Sequence, residues 1–296
     1  MKRLIVNADD FGMTRGVNRA IIQSHQHGLV TSATMMATGS AFEDAVTLAR
    51  ANPRLGIGCH INLVQGRPLL PPERVRTLAP AASRNGARLR DGFPAFAIAA
   101  LRRRIDPAEI AAEAEAQMSK LRSAGIALSH FDTHKHVHLL PQALRPLLEA
   151  ARVCGVRAVR NPFEPGQGVG AVDVLRRPRL WKRSPAVGVL RRFAAEFRRQ
   201  VEREGMITTD GTIGITVTGC LDEAILERVL RRLPQGTWEL VCHPAYMDDD
   251  LRSLSTLRSG ERERAALTSA RIRRCVEECG IELITYRDLV REVAGC

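Results

Sequence analysis

The chain has 296 residues, 45% of them hydrophobic, and a formal net charge of +12. That length can bury a full core, as one large α/β domain or two ordinary ones. Its longest apolar run, Phe93–Leu101 with a proline inside it, is far too short to cross a bilayer. Seven cysteines, an odd number with no CxxC pair, argue against a disulfide framework or a structural zinc site.

The opening MKRLIV passes directly to polar residues without the apolar h-region of a signal peptide, so a soluble, cytoplasmic protein is expected. The first element is an apolar strand over Leu4–Gly12, LIVNADDFG, that runs into two adjacent carboxylates. Neighbouring side chains on an extended strand point to opposite faces, so Asp9 and Asp10 share one site only if the backbone turns there. Gly12 permits such a turn. Paired carboxylates repel unless a cation or a proton intervenes, and one metal ligand beside one proton acceptor resolves that repulsion. The competing reading is that one of the pair merely caps the following helix.

That helix is predicted from about Thr14 to His27, with Gly28 as its stop. A strand over Leu29–Met36, a helix over Phe42–Ala51 and a strand over Leu55–Asn62 complete a βαβαβ alternation, the mark of a parallel sheet or barrel. Residues 63–105 break the rhythm and read as a lid or binding loop. Asp106-Pro107 starts a helix that Gly125 stops. Strand four, Ile126–Asp132, leads into DTHKHVH at 132–138, and Pro141 opens a helix that ends at Gly155. Strand five is Val156–Arg160. A basic helical insertion at 173–205, with a helix over Ala186–Glu204, follows. Then come a strand near Thr212–Val217, a helix over Asp222–Arg232, a strand at Trp238–Cys242, a long helix around Glu261–Cys279 and a last strand at Ile281–Thr285. No internal repeat or low-complexity linker divides the chain, and a single domain over 1–296 is expected.

The net charge of +12 raises nucleic acid as a partner, but the densest basic run, Arg176–Arg203, has no zinc-finger, homeodomain or RNP-type signature. Specific nucleic-acid reading is therefore not expected. Peripheral attraction to an anionic membrane surface is, with an arginine-rich solvated surface as the competing reading.

On this scaffold Asp9, Asp10, His60, His134, Arg160 and His243 all fall at carboxyl ends of strands, the ligand-bearing edge of parallel α/β architectures. If the segment after Asp132 stays extended, His134, His136 and His138 share a face, one as a ligand and two in support. One Asp with two His and water suits a divalent cation that acidifies water and polarises a carbonyl, which is hydrolase chemistry. Cys59 and Cys242, each preceding a histidine of interest, are expected to point away from it and be buried.

NADDFG at 7–12, GCHINL at 58–63, DTHKHVHLLP at 132–141 and HPAY at 243–246, in that order, resemble the YdjC-like carbohydrate deacetylases of the ChbG/HpnK group. The resemblance covers the whole chain, more loosely at 63–105 and 163–210. It implies an irregular (β/α) barrel, NodB-like or TIM-like, with Asp10, His60 and His134 as metal ligands, Asp9 as general base and His243 as general acid. Arg160 is similar to the arginine that orients the base in NodB-type deacetylases, with surface pairing as the alternative. The implied metal is magnesium, zinc or another divalent ion remaining open, and the implied reaction removes an acetyl group from an N-acetylated sugar. An N-acetylglucosamine-type oligosaccharide and an N-acetylhexosaminyl glycolipid such as a hopanoid both suit the motifs. With eight Phe, two Trp and two Tyr, a long aromatic-lined cleft is not expected. Two other classes stay open: another metal-dependent hydrolase such as a phosphodiesterase, and a non-catalytic sugar-binding or nucleic-acid-binding module. A homodimer is compatible with the sequence.

Overall fold

The computed structural model describes residues 1–83, 86–164, 191–253 and 259–294. In chain order the elements are β1 (Lys2–Phe11), α1 (Arg15–Gln26), β2 (Ser32–Met35), α2 (Phe42–Ala51), β3 (Gly56–Ile61), β4 (Ala81–Ser83), β5 (Gly86–Arg88), α3 (Gly92–Leu101), α4 (Pro107–Ser123), β6 (Leu128–Thr133) and α5 (Pro141–Val153). There follow α6 (Ala194–Arg203), β7 (Gly211–Ile213), α7 (Glu223–Arg231), β8 (Gly236–Cys242), α8 (Asp249–Ser253), α9 (Gly260–Leu267), α10 (Ala270–Glu278), β9 (Ile281–Leu283) and α11 (Tyr286–Ala294).

Apart from the antiparallel β4–β5 pair, the strands form one parallel sheet in the order β6-β3-β2-β1-β8-β7. β9 pairs with Lys2–Leu4 of β1 below the start of β2, so the two share one edge of β1. The far edges approach each other through residues 158–163. Phe131 of β6 bridges to Val159, Ala158 bridges to Ile207, and Thr212 N of β7 donates to Phe163 O at 3.1 Å. The result is an irregular α/β barrel in which the expected fifth strand, Val156–Arg160, is reduced to isolated bridges.

Side-chain alternation on β1 explains the two-sided burial. Leu4, Val6 and Ala8 point outward into the large core shared with the helices, whereas Ile5 joins Ala158, Ile284, Tyr286 and Leu289 in a second cluster. Strands buried on both faces read as near-continuous apolar runs, as LIV does here. Gly58 answers a packing demand: a Cβ there would stand 2.5 Å from the His130 ring. Thr14, not Asp9 or Asp10, caps α1 by accepting from Val17 N at 3.3 Å.

Several expectations change. Residues 63–105 hold the β4–β5 hairpin and α3. Their first part is pinned to one stripe of α4. Glu113 accepts from Leu69 N and Leu70 N at 2.8 and 3.0 Å, Glu109 accepts from Thr77 N and Leu78 N at 2.8 Å, and Gln117 exchanges two hydrogen bonds with the Asn62 backbone. The long helix over 261–279 is two helices. Leu267 O is taken by Leu29 N at 3.2 Å, and Ser269 caps the second helix by accepting from Arg271 N at 3.2 Å. α11 was not expected, although Thr285 and Asp288 form a reciprocal capping pair at its start. The strand near Thr212–Val217 is only Gly211–Ile213. The helix expected over Ala186–Glu204 lies partly outside the described residues, as does most of the basic segment 173–205; its described end is α6.

Candidate metal centre and its surroundings

The site begins with a fault in strand pairing. Ala8 pairs with Ala33 and Phe11 with Met35, so Asp9 and Asp10 together oppose Thr34. This is a bulge of one extra residue, a device that re-aims a side chain. The turn is made at Asp10 itself, with φ 67, and Gly12 follows at φ 97. Both carboxylates thereby face the carboxyl end of the barrel.

Asp10 Oδ1 lies 3.4 Å from His60 Nε2 and 3.2 Å from His134 Nδ1, and those two nitrogens are 3.3 Å apart. The far side of His60 is fixed: its Nδ1 stands 2.6 Å from Asp132 Oδ1 and 3.2 Å from Thr34 Oγ1. With the proton on Nδ1, Nε2 presents a lone pair to the cluster, the usual arrangement for a ligand histidine backed by a carboxylate. Asp10 Oδ1 is buried without a hydrogen-bond partner. The two imidazole nitrogens and this orphaned carboxylate oxygen form a three-atom donor set that fits a cation.

Charge leads to the same place. Burial opposes the His60 imidazolium, yet Asp132, Asp9 and Asp10 raise its pKa well above the ordinary histidine value. Burial likewise opposes the charged form of Asp10, but His134 and His60 hold it well below the usual carboxylate range. The point between these side chains stabilises positive charge, whether a proton or a metal ion brings it. A second group that could hold an ion, Asp9, His60 and Asp132, has its donor atoms already engaged by Arg160, Thr34 and one another.

Arg160 is the one buried lysine or arginine among the described residues. Its Nη2 donates to Asp9 Oδ1 at 2.6 Å and its Nη1 to Asp9 Oδ2 at 2.8 Å. The same guanidinium reaches Asp132 Oδ2 at 2.6 Å and, through Nε, Glu239 Oε1 at 2.7 Å. Burial would raise the Asp9 carboxyl, but the Arg160 charge and hydrogen bonds hold it well below the usual range. Burial raises Glu239 instead, against the pull of Arg160 and of the Tyr286 hydroxyl that bonds to it. The surface-pairing alternative for Arg160 is thus removed.

His243 follows β8, with Nε2 3.9 Å from Asp9 Oδ2. Its backbone N donates to buried Glu263 of α9 at 2.7 Å, and Glu263 also accepts from Ser259 Oγ at 3.1 Å and Gly219 N at 3.3 Å. All six residues singled out in the sequence therefore meet in one place.

A profile of the family described as YdjC-like protein matches residues 3–278. The chain belongs to the YdjC-like family. A carbohydrate deacetylase of Geobacillus stearothermophilus is 34% identical over 289 residues, 97% of this chain and 98% of the relative. A chitooligosaccharide deacetylase of Proteus mirabilis (strain HI4320) is 28% identical over 291 residues, again 97% and 98% of the two chains. Among solved structures, a protein of Enterococcus faecalis V583 given provisionally as a cellobiose-phosphate cleavage protein aligns with a TM-score of 0.74 at 28% identity, covering 97% of this chain and 98% of its own.

Within this YdjC-like site the histidine run departs from the extended expectation. His134–Leu139 is a 3₁₀ turn with left-handed backbone at Lys135 (φ 59) and His136 (φ 54), so period-two alternation fails. His138 turns inward to Thr133, whose Oγ1 is 2.6 Å from Nδ1. His136 has a buried Nδ1 without a partner, and burial pushes its pKa down to about 3, helped by the Arg160 charge. Sequence reasoning gave no role to Thr34, Asp132, Glu239 or Glu263. Asp132 carried a signal, being the polar end of β6 two residues before His134. Glu239, inside an otherwise apolar strand, carried a weaker one. Cys59 and Cys242 are buried, as expected.

Proposed function

We propose that this chain is a metal-dependent carbohydrate N-deacetylase, releasing acetate from an N-acetylated sugar. The observation that carries the reading is the convergence of Asp10 Oδ1, His60 Nε2 and His134 Nδ1 within 3.2–3.4 Å of one another, with Asp9 and His243 alongside. The names borne by its relatives in Geobacillus and Proteus support the same class.

Asp10, His60 and His134 would hold the ion. When bound, a divalent cation there lowers the pKa of a water and polarises the amide carbonyl. Asp9, kept ionised by Arg160, takes the proton of the attacking water as its oxygen bonds to the acetyl carbon. His243 gives a proton to the sugar nitrogen as the carbon–nitrogen bond breaks, leaving acetate and a free amine. Arg160 is a positioning residue, since its fork fixes the plane of the Asp9 carboxylate. The resemblance favours magnesium. Two imidazole nitrogens and one carboxylate also suit zinc or another first-row ion, whereas magnesium prefers oxygen ligands.

The substrate we propose is a short saccharide or a single N-acetylhexosamine head group, free or on a glycolipid. Glu109 and Glu113 of α4 hold the stretch from Leu69 to Leu78. We further propose that 1–296 acts as one domain in the cytoplasm. Among the described residues no helix is long and apolar enough to cross a membrane. Elemental analysis together with acetate release from a panel of N-acetyl sugars tests the reading, with bis-p-nitrophenyl phosphate as counter-substrate. Acetate release that tracks metal content supports it. Hydrolysis of the phosphodiester alone would replace it.

A further inference from the structure

We propose that α3 and the three arginines that follow it form a docking surface for an anionic lipid bilayer. α3 reads GFPAFAIAAL, a helix without a charged residue. Its buried side, Phe96, Ala99 and Ala100, packs toward α5 and the 3₁₀ turn that carries His134. The other side leaves Ile98 53% and Leu101 56% exposed, one helical turn apart. Pro94 and Ala95 are exposed with them. A lone exposed leucine is ordinary, but a helix that is apolar on both sides calls for a second apolar neighbour.

Charge names that neighbour. Arg102, Arg103 and Arg104 follow α3 directly and are all exposed. None of them has an ion-pair partner among the described residues. The helix ends in a turn closed by Arg104 N to Ala99 O at 2.8 Å and Arg103 N to Ala100 O at 2.9 Å. Arg103 sits in it with φ 53, at the left-handed position that glycine usually fills. A cation is thus kept beside the apolar side despite backbone strain. A second copy of this chain would bring its own arginines and a net charge of +12 to the same contact. An anionic bilayer offers what both features require: acyl chains below the headgroups for Ile98 and Leu101, and phosphates for the guanidinium groups. The claim concerns binding and stands apart from the deacetylase reading.

The full-length protein is co-sedimented with vesicles of equimolar phosphatidylcholine and phosphatidylglycerol, and with phosphatidylcholine alone, at low and high salt. Wild type should pellet with the anionic vesicles at low salt and be released at high salt. Ile98→Asp with Leu101→Asp should abolish pelleting. Arg102→Gln, Arg103→Gln and Arg104→Gln together should weaken it roughly 100-fold. Turnover of a soluble substrate should be unchanged in both variants, because none of these side chains belongs to the catalytic groups. Wild type that stays in the supernatant overturns the proposal. So do variants that bind like wild type, which would put lipid contact elsewhere in the chain, and a solution dimer that the Ile98→Asp, Leu101→Asp protein no longer forms, which would assign the face to a second copy.

Discussion

Arg160 and Asp9, 151 positions apart in the chain, meet as a two-pronged ion pair with both sides buried, at 2.6 and 2.8 Å. Such a pair fixes more than charge. The planar fork sets the orientation of the carboxylate, and the carboxylate keeps a buried cation paired.

Replacing Arg160 separates these roles. Arg160→Lys keeps the charge and loses the fork, so the protein should fold and bind metal while acetate release falls roughly 10²-fold or more, the scale of a misplaced base. Arg160→Gln strands Asp9, Asp132 and Glu239 without a cation and should cost about 3–5 kcal/mol of stability. Chemical denaturation and steady-state kinetics on the two variants check this. A lysine variant with the wild-type rate would show that orientation of Asp9 does not matter.

His243→Ala should retain the metal and lose roughly 10²–10⁴ in turnover if its Nε2, 3.9 Å from Asp9 Oδ2, protonates the leaving nitrogen as proposed. An unchanged rate would leave His243 as a packing residue. Metal content measured alongside the rate separates a lost proton donor from a lost ion.

Acid should weaken the fold in a defined window. The pKa values of Asp9 and Asp10 are lowered in the folded protein, so the folded state binds fewer protons there than the unfolded state does. The stability they contribute is complete above the unfolded-state carboxyl value of about 4 and is lost as pH falls below it toward the folded values. Urea midpoints measured from neutral pH down to about 3 should fall most steeply at the acid end. The slope should flatten in Asp9→Asn, and equal slopes in the two proteins would contradict the assignment.

Much of this was legible in the sequence, and the failures have physical causes. The βαβαβ start and the gathering of Asp9, Asp10, His60, His134, Arg160 and His243 followed from strand ends and motif order, because parallel topology brings those ends together. The need for a turn at Asp9-Asp10 was readable too, but not its form. A bulge depends on the partner strand, and the sequence of β1 alone does not show that Ala8 and Phe11 pair with residues only two apart in β2. The extended reading of His134–His138 failed because Lys135 and His136 adopt left-handed backbone that local propensity disfavours. The fifth strand faded because barrel closure near Val159 is a matter of long-range packing. Glu263 stayed hidden because an acid on a helix looks solvated until tertiary structure buries it.

We propose that the adjacent carboxylates divide the work, Asp10 holding an ion with His60 and His134 while Asp9 serves the water. Metal stoichiometry and acetate release on Asp10→Asn and Asp9→Asn, prepared side by side, test it most directly. The account predicts that Asp10→Asn purifies with weakened metal content and little activity, whereas Asp9→Asn keeps its metal and loses roughly 10²-fold or more in rate. Loss of the ion from Asp9→Asn with retention in Asp10→Asn would reverse the two roles, and full metal and full rate in both would remove the pair from the site.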